Sequence, residues 1–92
     1  MKIAIFGAGQ LAMMMIEASS DLGHEFIVID PASRPPASEI AKHYMVGYND
    51  EEILKFVASE CDIATIDFEN VDIGALKYLS LIHISEPTRR NS

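Results

Sequence analysis

Apolar and polar positions along the chain follow two periods in turn, and each change of period marks an element. Lys2–Phe6 is a short apolar run closed by Gly7, the pattern of a parallel strand buried on both faces. Over Gln10–Leu22 the apolar residues Leu11, Met14, Met15, Ala18 and Leu22 follow helical spacing, and Gly23 stands where a helix stops. Glu25–Asp30 reads as a second buried strand. Pro31–Pro36 must be a turn, because proline lacks the amide hydrogen that a strand or helix interior uses. The pattern then predicts a short helix over Ala37–Lys42 and a brief strand over Tyr44–Val46. Asn49 or Asp50 caps a helix over Glu51–Ser59 that aligns Ile53, Leu54 and Val57 on one face. A fourth strand over Ile63–Phe68 and a fourth helix over Val71–Tyr78 complete the pattern. Strands and helices alternating through short links predict an α/β fold, a Rossmann-like doubly wound parallel sheet of four strands in the order 3-2-1-4.

Composition narrows the class of partner. The 92 residues are 49% hydrophobic and 23% charged, which fits one globular domain. A net charge of −7 argues against nucleic acid and against an anionic membrane surface, since phosphates repel a net anion. No apolar run approaches the roughly 20 residues that span a bilayer, and Ile3–Phe6 is too short for a signal peptide. Cys61 is the only cysteine, which excludes an intrachain disulfide and a cysteine-based metal cluster. A cytoplasmic domain is expected.

Candidate chemistry gathers at two places. Gly7-Ala8-Gly9-Gln10-Leu11-Ala12 has the glycine-rich pattern that lets a backbone approach a ligand and opens a helix whose first amides are free. Asp30 ends the second strand at the spacing of a ribose-binding acid. Those two features alone would suit a nicotinamide-dependent oxidoreductase, although Asp30-Pro31 and the double proline crowd that loop. Gly7 and Gly9 would equally serve strand-to-helix packing with no ligand. Gln10 stands at the helix start, where its amide could meet a ligand above the sheet edge. The fourth strand ends in Thr65-Ile66-Asp67-Phe68-Glu69-Asn70. In the order 3-2-1-4 it lies beside the first, so topology brings Glu69 toward Gln10 at the switch point. Asp67 and Glu69 share strand parity and should lean to one side. Glu69 and Asn70 would also suit the charge and cap of a helix start. Met13, Met14 and Met15 read as core packing with one exposed member. His24 and His43 lack partners at metal-ligand spacing, and Cys61 has no basic neighbour in sequence to activate it.

Several segments recur together in one family. Gly7-Ala8-Gly9-Gln10-Leu11, Val28-Ile29-Asp30-Pro31, Pro36-Ala37, Tyr48-Asn49-Asp50, Cys61-Asp62 and Phe68-Glu69-Asn70-Val71, in this order and spacing, resemble the amino-terminal pre-ATP-grasp domain of the 5-(carboxyamino)imidazole ribonucleotide synthases. The resemblance spans residues 3–78. It implies a fragment of an ATP-grasp ligase of purine biosynthesis, which carboxylates 5-aminoimidazole ribonucleotide with ATP and bicarbonate. A carboxyphosphate intermediate and magnesium to offset phosphate charge are implied for the full-length enzyme, and so is a homodimer. The resemblance further implies that Gln10, Leu11 and Glu69 contact the ribonucleotide, with Asp67, Asn70 and Asp30 as further candidates. No catalytic residue and no metal ligand is expected in this fragment, which should bind no ATP and be inactive alone. The sister formate-dependent glycinamide ribonucleotide transformylases have Glu where this chain has Gln10. Ala12 departs from the family's usual Gly, and Asp67 from its usual Glu or neutral residue, which leaves the role of Asp67 open. A free-standing interaction domain without enzymatic activity is the remaining alternative.

Leu79–Arg89 (Leu-Ser-Leu-Ile-His-Ile-Ser-Glu-Pro-Thr-Arg) resembles the translation of a common transposase sequencing adapter. The native domain is therefore expected over residues 1–78, and 79–92 is expected to be a non-native tail outside functional reasoning. Without that tail the chain loses Glu86, Arg89 and Arg90, and its charge moves from −7 to −8.

Overall fold

The computed structural model describes residues 1–67. Phe68, Glu69 and Asn70, the helix expected over Val71–Tyr78 and the adapter-like run lie outside the described residues. Four strands, β1 (Lys2–Phe6), β2 (Glu25–Ile29), β3 (Lys42–Tyr44) and β4 (Ile63–Ile66), form one parallel sheet in the order β3-β2-β1-β4. The α/β fold and its strand order are those expected from the hydrophobic pattern.

Side-chain alternation divides the core into two layers. Ala4 and Phe6 of β1, with Ile27, Ile29, Ala64 and Ile66, face helix α2 (Glu51–Glu60), which buries Ile53 and Val57 against them. Ile5 and Val28 face the other way, against helix α1 (Gln10–Ala18), which buries Ala12 and Ile16. Burying sheet residues on both faces is what makes β1 and β2 read as continuous apolar runs. Asp50 caps α2 by accepting from Ile53 N at 2.9 Å, and Glu51 and Glu52 follow in the first turn, where the helix dipole favours negative charge.

Three expected boundaries and one expected face are corrected. The first helix ends at Ala18 and continues as a single 3₁₀ turn over Ser20–Leu22. Ser19 Oγ donates to Met15 O at 2.8 Å, an alternative partner that competes with the helical ladder. Gly23 then closes the segment at φ 78°, where only glycine is unstrained. The buried face of α1 is set by Ala12 and Ile16, while Met14 and Leu22 of the expected stripe are exposed. With apolar residues on nearly every side of this helix, close approach of the small Ala12 to the sheet decides the face. The expected helix over Ala37–Lys42 is a 3₁₀ turn over Pro36–Glu39, and the third strand is Lys42–Tyr44, not Tyr44–Val46. Ala37 N donates to Ala8 O at 2.8 Å, which ties that turn to the glycine loop. Val46 N donates back to Tyr44 O at 3.0 Å, which turns the chain out of the sheet after Tyr44. Asp30 lies just past β2, and β4 as described ends at Ile66.

Candidate functional site

Helices α1 and α2 leave the sheet to opposite faces, so the strand order reverses at β1. The crevice at this switch point lies beyond the carboxyl ends of β1 and β4. Gly7 opens it: its φ of 95° bends the chain off β1, and its amide donates to Ile29 O at 2.7 Å. Gly9 occupies the N-cap position of α1 and has no side chain with which to cap it.

Two aspartates from distant strands supply what the loop lacks. Asp67, directly after β4, is fully buried, and its Oδ2 accepts from Gly9 N at 3.0 Å and from Ala12 N at 3.2 Å. Its own amide donates to Phe6 O at 2.8 Å, which continues the β1–β4 pairing into the site. Asp67 has the parity of Thr65, which lies opposite Ile5 on the α1 side of the sheet, so its carboxylate comes up beneath the start of α1. Asp30, 2% exposed, spans the loop from the other side. Oδ2 accepts from Ala8 N at 2.9 Å and Oδ1 from Ala32 N at 2.9 Å. The Asp30 carbonyl accepts from His43 Nε2 at 2.9 Å, and its amide donates to Tyr44 O at 3.2 Å. Amides that open a helix cost free energy when buried without an acceptor, and ionised acceptors make the stronger bonds.

The expected site residues therefore fall into distinct roles. Gly7 and Gly9 form the turn. Gln10 is exposed as the first residue of α1, with Leu11 half-buried behind it. Asp30 and Asp67 face inward and hold the backbone that carries Gln10. The ribose-binding role open to Asp30 in a nicotinamide enzyme finds both of its oxygens on loop amides. Glu69 and Asn70, expected to approach Gln10, lie outside the described residues. Sequence reasoning missed Asp67 as the cap of α1, since 55 residues separate it from Ala12. Strand parity, which put Asp67 and Glu69 on one side without saying which, was the one available signal.

The remaining candidates are structural. Met14 is the exposed methionine of the three, while Met13 and Met15 pack against the α1-side core. His24 Nδ1 lies 3.1 Å from the amino terminus. Cys61 closes α2, and burial pushes its thiol up while Lys2, a cation remote in sequence, pulls partly against that shift. Among the described residues no group of three or more His, Cys, Asp or Glu could hold a metal ion, and no helix is long and apolar enough to cross a membrane.

Known proteins are similar to this chain in sequence and in fold. The family described as the ribonucleotide synthetase pre-ATP-grasp domain matches residues 1–89. An N5-carboxyaminoimidazole ribonucleotide synthase from Pseudomonas aeruginosa is 38% identical over 80 residues, which are 87% of this chain and 22% of that protein. The crystal structure of N5-carboxyaminoimidazole synthetase from Staphylococcus aureus, also solved in complex with ADP, superposes with a TM-score of 0.73 at 32% identity. It covers 94% of this chain and 23% of that one. The corresponding enzyme from Thermus thermophilus superposes with a TM-score of 0.75 at 29% identity, over 95% of this chain and 24% of that one. The chain thus spans about a fifth of the length of the curated relatives it matches.

Proposed function

The chain belongs to the ribonucleotide synthetase pre-ATP-grasp family, and from that premise we propose that it is the amino-terminal part of an N5-carboxyaminoimidazole ribonucleotide synthase. In this reading the whole protein carboxylates the exocyclic amine of 5-aminoimidazole ribonucleotide, using ATP and bicarbonate, in purine biosynthesis. The observation that carries it is the junction of the glycine loop with the end of β4 at the switch point, in a chain 38% identical to such an enzyme over 87% of its length. Gln10, exposed at the tip of the loop, contacts the ribonucleotide with Leu11 in this reading, and Glu69 is assigned to the same substrate. Asn70 is a further contact candidate. Asp30 and Asp67 act on the substrate only through the backbone they hold.

ATP and magnesium belong to other parts of the protein in this proposal. Asp30 and Asp67 do not fit as ligands for them, because both carboxylates are buried against loop amides. In this reading no catalytic step falls on the described residues. Their contribution is to bind and orient a ribonucleotide at a rigid loop. The enzyme is cytoplasmic and homodimeric in the same reading. Its native domain ends at about residue 78, with 79–92 an adapter-derived tail. The family match itself runs over residues 1–89.

Sequencing the reading frame past residue 78 in source DNA tests the proposal. An ATP-grasp continuation is expected, and a protein expressed from it should consume 5-aminoimidazole ribonucleotide only when ATP and bicarbonate are both present. A native stop codon at that point would overturn the proposal. So would ATP-dependent carboxylation by the 92-residue chain alone.

A further inference from the structure

A helix that starts after a glycine turn is the common receptor for a ligand phosphate, because its first amides point outward and carry partial positive charge. Here two of the amides that open α1 are occupied from within. Gly9 N and Ala12 N are both held by Asp67 Oδ2, at 3.0 and 3.2 Å, and Ala8 N is held by Asp30 Oδ2 at 2.9 Å. Asp67 is 0% exposed and Asp30 2%, so water has little access to screen either charge from a group arriving at the loop. The loop thus has the shape of a phosphate cradle and the reverse of its charge.

We propose that Asp67 is a specificity-determining residue that acts through the loop. Its carboxylate takes two of the amides a ligand phosphate would take, those of Gly9 and Ala12, and sets a buried negative charge beneath the turn, so the turn refuses anions and offers Gln10 and Leu11 to uncharged groups. For a ribonucleotide those groups are the ribose hydroxyls and the ring amine, and the phosphate has to be held away from α1. What the loop accepts rests on the ribonucleotide reading above. What it refuses rests only on the two carboxylates and their distances. The same charge arrangement excludes the pyrophosphate of a dinucleotide, for which the Gly7–Leu11 turn is otherwise shaped.

The test is an amide-resolved titration of the 92-residue chain, labelled with ¹⁵N, using inorganic pyrophosphate at constant ionic strength. The wild-type amides of Gly9, Gln10, Leu11 and Ala12 should show no saturable shift. Asp67→Asn keeps the volume and removes the charge. It should gain saturable shifts at those four amides, with pyrophosphate affinity at least about tenfold above wild type. Asp67→Glu keeps the charge and should refuse pyrophosphate as wild type does. A purely structural aspartate would lower stability when replaced but create no anion site. Should Asp67→Asn fail to fold, Asp67→Ser, whose hydroxyl can still accept from an amide, carries the comparison. Saturable pyrophosphate binding by wild type at these amides would overturn the proposal, as would a folded uncharged variant that stays silent. A separate titration with 5-aminoimidazole ribonucleotide keeps the two readings apart. Silence of Gln10 and Leu11 there would count against the substrate assignment and leave the anion result standing.

Discussion

The two ends of the β1–β4 pair use the same chemical device in opposite surroundings. At the carboxyl end, buried Asp67 accepts from Gly9 N and Ala12 N beneath the start of α1. At the amino end, exposed Asp62 Oδ2 accepts from Lys2 N at 2.8 Å, and the Lys2 carbonyl extends the strand pairing by accepting from Asp62 N at 2.7 Å. Each is a carboxylate closing a strand end on a backbone amide. Water can replace Asp62 when it is lost, but cannot readily reach the amides under α1. The difference in cost is therefore set by burial and not by bond length, because an unsatisfied buried amide keeps its full desolvation penalty.

Removing Asp67 should break that contrast most visibly. Asp67→Ala strands two amides and opens a cavity, and a loss of about 3 kcal/mol is expected from such a site. Urea unfolding of the 92-residue chain followed by circular dichroism measures it. Asp30→Ala should follow at about 2 kcal/mol, since Ala8 N is buried while the partly exposed Ala32 N can turn to water. A smaller loss for Asp67→Ala than for Asp30→Ala would show that α1 finds another cap. Asp50→Ala removes a solvent-side cap whose partner, Ile53 N, belongs to the first turn of α2. About 1 kcal/mol is expected from the same unfolding curves.

Local chemistry and tertiary context divide what the sequence reveals from what it hides. The Asp50 cap is legible because its partner is three residues away, and β1 and β2 are legible because burial on both faces leaves unbroken apolar runs. Strand order 3-2-1-4 follows from alternation and the rules of crossover connections. The edge strand β3 is displaced by two residues from its expected place, because three residues of Lys-His-Tyr carry no periodicity and their register is set by Asp30 N and the Ala8–Ala37 bond. The α1 face is hidden for the opposite reason, an excess of apolar residues. Within the site, Gly7, Gly9 and Gln10 stand out locally, whereas the positions of Asp30 and Asp67 under the loop come from folding alone. A carboxylate near a glycine loop reads equally as a ligand for ribose or as an anchor for backbone, and only its direction separates the two.

At the amino end the expected effects become small, and their sign is the informative part. Asp62→Ala should leave the unfolding curve unchanged within its error, because an exposed carboxylate bond exchanges readily for water. Cys61, beside that end, tests how dry it is. Burial raises the thiol pKa, the largest influence on it, and Lys2 lowers it by less. A thiol held above its ordinary pKa carries less thiolate near neutral pH, so alkylation by iodoacetamide should be slower than for a free cysteine. The rate should rise as pH climbs toward the raised value. The linkage has the matching sign: the unfolded chain ionises first, so any stability owed to the neutral thiol is present below the ordinary thiol pKa and lost as pH rises through the folded one. Lys2→Ala removes the opposing cation and should slow alkylation further. If alkylation instead speeds up in that variant, the Lys2 side chain shields Cys61 from the reagent, and access outweighs the lost cation at the amino end.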